Sequence, residues 1–265
     1  LFSILLFIKE NLNLGIDFKG GILIEANFKN SPDLSDLREK LIGMSVGNFE
    51  IQEFGSPENI LIRIEKNSEK KEEQNALINN IKNELPSEID YRRIEFVGPK
   101  VGKELQIMGI KAVLFSLIAM FAYIWFRFSG WQFGLGALVA LFHDVLSTIG
   151  FFSLTQIEFN LASIAAILTI AGYSINDTVV IFDRVRENLR KYKKLELVDL
   201  FNLSVNNTLS RTIMTSLTTL LALSSLYIFG GEVIKPFALT MIIGVMIGTY
   251  SSIFIAVPTL LIFKF

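Results

Sequence analysis

The sequence predicts an α-helical polytopic membrane protein, a six-span bundle whose first span is represented only by its end, joined to a small α+β domain. Three observations carry this. Hydrophobic residues make up 51% of the 265 residues, charged residues only 19%, and the mean hydropathy is +0.47. Soluble chains sit near 25% charged. The charge is also unevenly spread: residues 9–105 hold 14 Lys/Arg and 18 Asp/Glu, and residues 106–265 hold the other 11 and 8, many of them within 183–199. Finally, the apolar pattern of the first part has the short periods of strands and amphipathic helices, whereas the second part runs in long apolar stretches. These features exclude a disordered chain, a single soluble core and, with no Cys, a disulfide scaffold. A net charge of −1 gives no reason to expect a nucleic-acid partner.

Residues 1–8 are apolar except Ser3, and eight residues are too few to cross a bilayer. No basic region precedes them and no small-residue cleavage site follows, so they read as the end of a first span. The next segments predict a domain over 9–105. Residues 14–28 read as a strand in which Gly20-Gly21 allows a bend or bulge. Pro32-Asp33 opens a helix over 34–44 with Leu34, Leu37 and Leu41 on one face. Strands follow at 49–54 and 60–65 around a Gly-Ser-Pro turn. A helix over 70–85 carries Leu77, Ile78, Ile81 and Leu85 and ends at Pro86, and a last strand covers 89–97. The order β-α-β-β-α-β is the ferredoxin-like arrangement.

A span needs roughly 20 mostly apolar residues. Segments 107–126, 131–154, 161–182, 209–229 and 236–263 qualify, giving a five-span domain over 106–265 with a loop at 183–208. Lys/Arg in short loops set orientation. Arg127 and the cluster Arg184, Arg186, Arg190, Lys191, Lys193 and Lys194 place the 127–130 and 183–208 loops in the cytoplasm. The 9–105 domain is then extracytoplasmic.

Ionisable residues within spans are functional candidates, because placing Asp or Arg at a helix centre costs about 2.5–3.5 kcal/mol. Asp177 shares a helix face with Thr169, Tyr173 and Ser174. Arg211 shares a stripe with Thr208, Thr215, Thr218 and Ser225, a polar seam expected to face the bundle interior. Both residues lie toward the same side, so an Asp177–Arg211 pair is geometrically plausible, the long arginine side chain closing a small difference in depth. Arg holds its proton and a carboxylate can exchange one, so the pair could couple proton passage to helix movement; the alternative is a static buried pair. His143 and Asp144 near the middle of another span could extend a proton path, or Asp144 could bond to backbone or hydroxyl groups of a neighbouring span with His143 as packing. Gly244, Gly248 and Ser252, four apart, form a small-residue face for close helix packing. There is no phosphate loop, no zinc-ligand spacing and no Ser/His/Asp set, and one His with no Cys argues against a transition-metal site. No cofactor and no enzymatic activity are expected.

Several strings resemble a known family. GYSINDTVVIFDRVREN over 172–188 and SRTIMTSLTT over 210–219 resemble the fourth- and fifth-span signatures of the SecF branch of the SecD/SecF family of protein-export membrane proteins. FGGEVIK over 229–235, GTYSS over 248–252, FHDV over 142–145 and GIDFKGG over 15–21 also fit. The resemblance covers nearly the whole chain. It implies a bacterial cytoplasmic (inner) membrane location and partnership with SecD, and a likeness of the two to the halves of resistance-nodulation-division exporters. It further implies association with the SecYEG translocon and YajC, and use of the proton motive force to help draw translocating preprotein across the lipid bilayer. Proton movement in the family maps by motif onto Asp177 and Arg211, with Thr215 a weaker carry-over, and a further acidic residue is expected in SecD. The alternatives are half of a proton-driven small-molecule exporter, for which 9–105 is a small external domain, and a passive scaffold of the translocon.

Overall fold

The computed structural model describes residues 2–44, 46–65, 71–85, 89–231 and 233–262. They form two compact units, residues 14–109 and residues 1–13 with 110–265.

The smaller unit opens with a single helical turn, α2 (Ile16–Lys19), after the short helix α1 (Phe2–Glu10) of the other unit. Then come β1 (Gly21–Asn27), α3 (Leu34–Gly43), β2 (Asn48–Phe54), β3 (Ser56–Glu65), α4 (Lys71–Glu84) and β4 (Asp90–Val97). The antiparallel sheet has the order β2-β3-β1-β4, as the β-α-β-β-α-β pattern requires. Its register sets Ile22 opposite Ile64, Ile24 opposite Ile62 and Ala26 opposite Ile60. Alternation puts all six on one face, where Leu37 and Leu41 of α3 and Leu77 and Ile81 of α4 close the core. Asp33 caps α3 by accepting from the Ser35 amide at 2.8 Å. On the opposite face Ile16 covers Leu23 and Leu61, and Arg63 pairs with Glu50 at 2.9 Å.

The expected strand over 14–28 is therefore corrected: it is a helical turn followed by a strand. Gly20 and Gly21 have φ of +77° and +131°. A Cβ on Gly20 would stand 2.9 Å from Pro99 Cα, and one on Gly21 would overlap the Ile64 carbonyl. The pair thus turns the chain where it is squeezed between β3 and the next helix, which is a different task from a bulge within a strand. Pro86, expected to end α4, lies outside the described residues.

The other unit is helical. It holds α1, most of α5 (Pro99–Phe128), α6 (Trp131–Thr155), α7 (Leu161–Lys191), α8 (Leu197–Phe229) and α9 (Lys235–Ser251). A π-helical turn over Ser252–Ala256 leads into α10 (Val257–Ile262). Among the described residues five helices are long and apolar enough to cross a membrane, α9 to α10 counting as one. Pro258 lies two residues beyond the π turn; a ring there clashes with the carbonyl four residues earlier, that of Phe254, in a regular helix, and the wider turn relieves this. Close helix approach uses small residues: Gly150 of α6 faces Ser3 of α1, and Gly136 faces the Ala256 carbonyl. Phe128 stacks on Phe133, and Phe182 meets both edge-on, where α5, α6 and α7 come together.

The segment 183–208, expected as a loop, is corrected to two helix extensions and a short turn. α7 continues to Lys191 and α8 begins at Leu197. Val185, Leu200 and Phe201 are buried between them, and buried Asn188 donates to Ser204 Oγ at 2.9 Å. Hydropathy marks where a membrane would end; an amphipathic helix continues past that point.

Candidate functional site

The polar groups of the helical unit gather where α6, α7, α8 and α9 meet. The face of α8 turned inward is the row Ser204, Thr208, Thr212 and Ser216, four apart and all buried. The short side chains let a neighbouring helix come close, and the hydroxyls of Ser204, Thr208 and Ser216 donate to carbonyls of their own helix, Ser216 Oγ to that of Thr212 at 2.9 Å. Arg211, Thr218 and Ser225 lie on the other side of α8 and are exposed in this chain. The expected interior seam through Arg211 is therefore corrected: the helix turns its 204-208-212-216 row inward and its arginine outward.

Asp177 is only 3% exposed. Among the described residues no ion pair within 4.0 Å joins it to Arg211, which corrects the expected pair. Its partner is Thr215, whose hydroxyl stands 3.5 Å from Asp177 Oδ1 and also donates to the Thr212 carbonyl at 2.9 Å. The second carboxylate oxygen, Oδ2, is buried with no hydrogen-bond partner among the described residues, and so is Thr212 Oγ1. Orphaned buried polar atoms are uncommon and mark a place for water, an ion or a moving proton. Thr169, expected on the Asp177 face, is exposed and donates to its own helix at the Ala165 carbonyl.

Asp144 is different. It is fully buried, and its Oδ2 accepts from Ser174 Oγ of α7 at 2.6 Å and from Ser251 Oγ of α9 at 2.8 Å. His143 Nδ1 lies 3.1 Å from Oδ1. Beside it, Tyr173 donates to Ser216 at 3.3 Å, and Ser216 shares a 2.7 Å hydrogen bond with Thr249. None of these bonds reaches Asp177. Ser174, expected on the Asp177 face, bonds Asp144 instead, and Ser251, Ser216, Thr249 and Thr212 are site residues that sequence reasoning did not connect to the carboxylates. Their signal was the four-residue spacing of hydroxyls on α8 and the Ser251 next to the small-residue face of α9.

That face packs on α7. A Cβ on Gly244 would overlap the Ile170 side chain, one on Gly248 would stand 3.0 Å from Ser174 Cβ, and Ser252 is fully buried at the start of the π turn. Among the described residues no cluster of His, Cys, Asp and Glu is arranged to hold a metal ion.

Span-length helices packed around two buried carboxylates, joined to a four-stranded α+β domain, define a multi-pass membrane protein with a polar bundle interior. Residues 77–265 match the family described as Protein export membrane protein SecD/SecF, C-terminal, and residues 12–32 match the SecD/SecF GG Motif. The chain belongs to the SecD/SecF family. It is 49% identical over 253 residues to the protein translocase subunit SecF of Rickettsia rickettsii (strain Sheila Smith), covering 95% of this chain and 82% of that one. It is also 49% identical to the subunit of that name from Rickettsia bellii (strain OSU 85-389), with 95% and 83% covered. Among solved structures it resembles SecDF, a translocon-associated membrane protein from Thermus thermophilus, with a TM-score of 0.87 and 35% identity. A SecDF in super-membrane-facing form gives 0.70 and 34%. The chain covers only 36% of the length of each of these SecDF chains. The family and the five apolar helices make it a multi-pass protein of the bacterial cytoplasmic membrane.

Proposed function

We propose that the chain is a proton-driven accessory subunit of protein export, which works with SecD beside the SecYEG translocon and YajC to help move preprotein across the membrane. The observation that carries this is Asp177: a buried carboxylate within a span, with one oxygen lacking a hydrogen-bond partner among the described residues and the other held by a single weak hydroxyl contact. A carboxylate so placed can take up and release a proton without breaking a network. Thr215 offers a hydroxyl that can donate to the ionised form or accept from the protonated one. Arg211, one helical turn before Thr215 on α8, supplies a positive charge that does not titrate.

The outward stripe of Arg211, Thr218 and Ser225 supports a partner helix. An Arg turned to lipid is disfavoured, by about 2.5–3.5 kcal/mol at a helix centre and less near a span end such as that of Arg211, whereas a partner span with an acidic group would match it. SecD fits that description. The basic turn after α7 belongs in the cytoplasm by the distribution of Lys and Arg, and the 9–105 domain on the opposite side, where an exported chain emerges. The chemistry is conformational coupling to a proton gradient, with no bond made or broken in a substrate and no cofactor required.

The test is Asp177→Asn in the assembled complex with SecD, measuring the extra export that a proton gradient gives. Loss of that increment at unchanged complex level is expected. Full stimulation would overturn the proton role of Asp177 and leave a passive scaffold as the reading.

A further inference from the structure

Asp144 is a buried intramembrane carboxylate that the proposed chemistry of Asp177 does not use. Its bonding differs from that of Asp177 in kind. Two hydroxyls from two different helices converge on Oδ2, Ser174 of α7 at 2.6 Å and Ser251 of α9 at 2.8 Å, and His143 Nδ1 approaches Oδ1 at 3.1 Å. A group that carries a proton needs a vacant position at which to receive it. Asp177 has one, and both oxygens of Asp144 are engaged.

The surrounding packing exists to let this convergence form. A Cβ on Gly248 would stand 3.0 Å from Ser174 Cβ, so the absence of a side chain there lets α9 close on α7 at the height of Ser174. Ser251 lies one turn further along α9, immediately before the π turn. On α7, Ser174 precedes Asp177 by three residues, about 4.5 Å of helical rise. The adjoining Tyr173 is tied to Ser216 of α8, and through it to Thr249 of α9. The stretch 173–177 is thus held from α6, α8 and α9 within little more than one turn.

We infer that Asp144 is a positioning residue: through Ser174 and Ser251 its carboxylate sets the height and rotation of the Asp177 segment of α7 against α6 and α9, and it does not itself carry the proton. The second half of this statement rests on the proposed role of Asp177; the latch between three helices does not.

Two substitutions separate holding from carrying. Asn at 144 keeps a carbonyl oxygen with two lone pairs for the two serines but cannot ionise, and Ala keeps neither function. Three readouts are compared in the full chain assembled with SecD: gradient-dependent export, the rate at which dicyclohexylcarbodiimide modifies Asp177, and the yield of a disulfide between Ile170→Cys and Gly244→Cys. The last reports α7–α9 register, and the chain has no other Cys. Asp144→Asn should keep most of all three. Asp144→Ala should reduce export about fivefold or more, change the labelling rate and lower the cross-link yield, since it leaves two buried hydroxyls without their acceptor. The paired Ser174→Ala and Ser251→Ala variant removes both donors and should shift the readouts in the same direction if Asp144→Ala fails to assemble. Export lost in Asp144→Asn as completely as in Asp177→Asn would overturn the inference, because Asp144 would then carry charge. Unchanged labelling and cross-linking in Asp144→Ala would overturn it too. If Asp177→Asn exports normally, the role of Asp177 falls, and the cross-link comparison still decides whether Asp144 holds the helices.

Discussion

Thr215 Oγ1 stands between two acceptors, the Thr212 carbonyl at 2.9 Å and Asp177 Oδ1 at 3.5 Å. It has one proton to give. With Asp177 ionised, rotation toward the carboxylate is favoured; with Asp177 protonated, the hydroxyl can stay on the carbonyl and accept from the acid. Thr215→Val keeps the shape and removes this choice, leaving a buried carboxylate with no donor, a loss of about 1–3 kcal/mol for the charged form. Gradient-dependent export should fall about tenfold, with Thr215→Ser restoring most of it. Equal activity of the Val and Ser variants would show that the hydroxyl plays no part.

Arg211 sits on the outward side of α8, one position from buried Thr212. Its removal opens no cavity within this chain. Arg211→Met should therefore leave the thermal unfolding of the isolated subunit in detergent within about 0.5 kcal/mol of the parent, as for other surface changes. Gradient-dependent export in the assembled complex should nevertheless be lost. A large fall in the thermal midpoint of the isolated subunit would mean that Arg211 is part of its internal packing.

Period and charge made much of the fold readable. Leu37 with Leu41, and Leu77 with Ile81, fall at helical spacing and are buried on the sheet, and Ile60, Ile62 and Ile64 alternate into the same core. The turn at Ile16–Lys19 escaped notice because it is four residues long, and the shape of Gly20-Gly21 is set by Ile64 and Pro99, both remote in sequence. At the site, a charge inside an apolar run singled out Asp177 and Asp144 without revealing their partners. Helical spacing places residues on faces but does not say which face meets which helix. That is why Arg211, only one position from Thr212, was expected inside. The partners of Asp144 come from Ser174 and Ser251, which are 30 and 107 residues away.

The glycines of the helical unit make opposite predictions. A Cβ at Gly244 would overlap Ile170, so Gly244→Ala should destabilise the subunit by about 1–3 kcal/mol, as overpacking does. Around Gly172 there is nothing within 4 Å of an added Cβ, so Gly172→Ala should be neutral or stabilising by up to about 1 kcal/mol through reduced backbone freedom. Thermal unfolding of the two variants in detergent, followed by tryptophan fluorescence, compares them directly. Equal shifts would mean that α7 and α9 do not approach closely at Gly244.

The GG segment is a test of the smaller unit. At φ of +131° an Ala in place of Gly21 would be strained, and its methyl group would press on the Ile64 carbonyl in β3. Strain of this kind is worth about 1–3 kcal/mol before the clash is counted. β1 is a central strand, hydrogen-bonded to β3 and β4, so any shift at Gly21 is transmitted to both neighbours. Gly21→Ala in the full chain should therefore make residues 14–109 markedly more sensitive to limited proteolysis while the helical unit keeps its resistance. Gly43→Ala, where an added Cβ meets nothing within 4 Å, is the matched control and should cleave like the parent. If Gly21→Ala also cleaves like the parent, β1 does not need the glycine conformation at its start, and the close approach of Gly21 to Ile64 does not hold in solution.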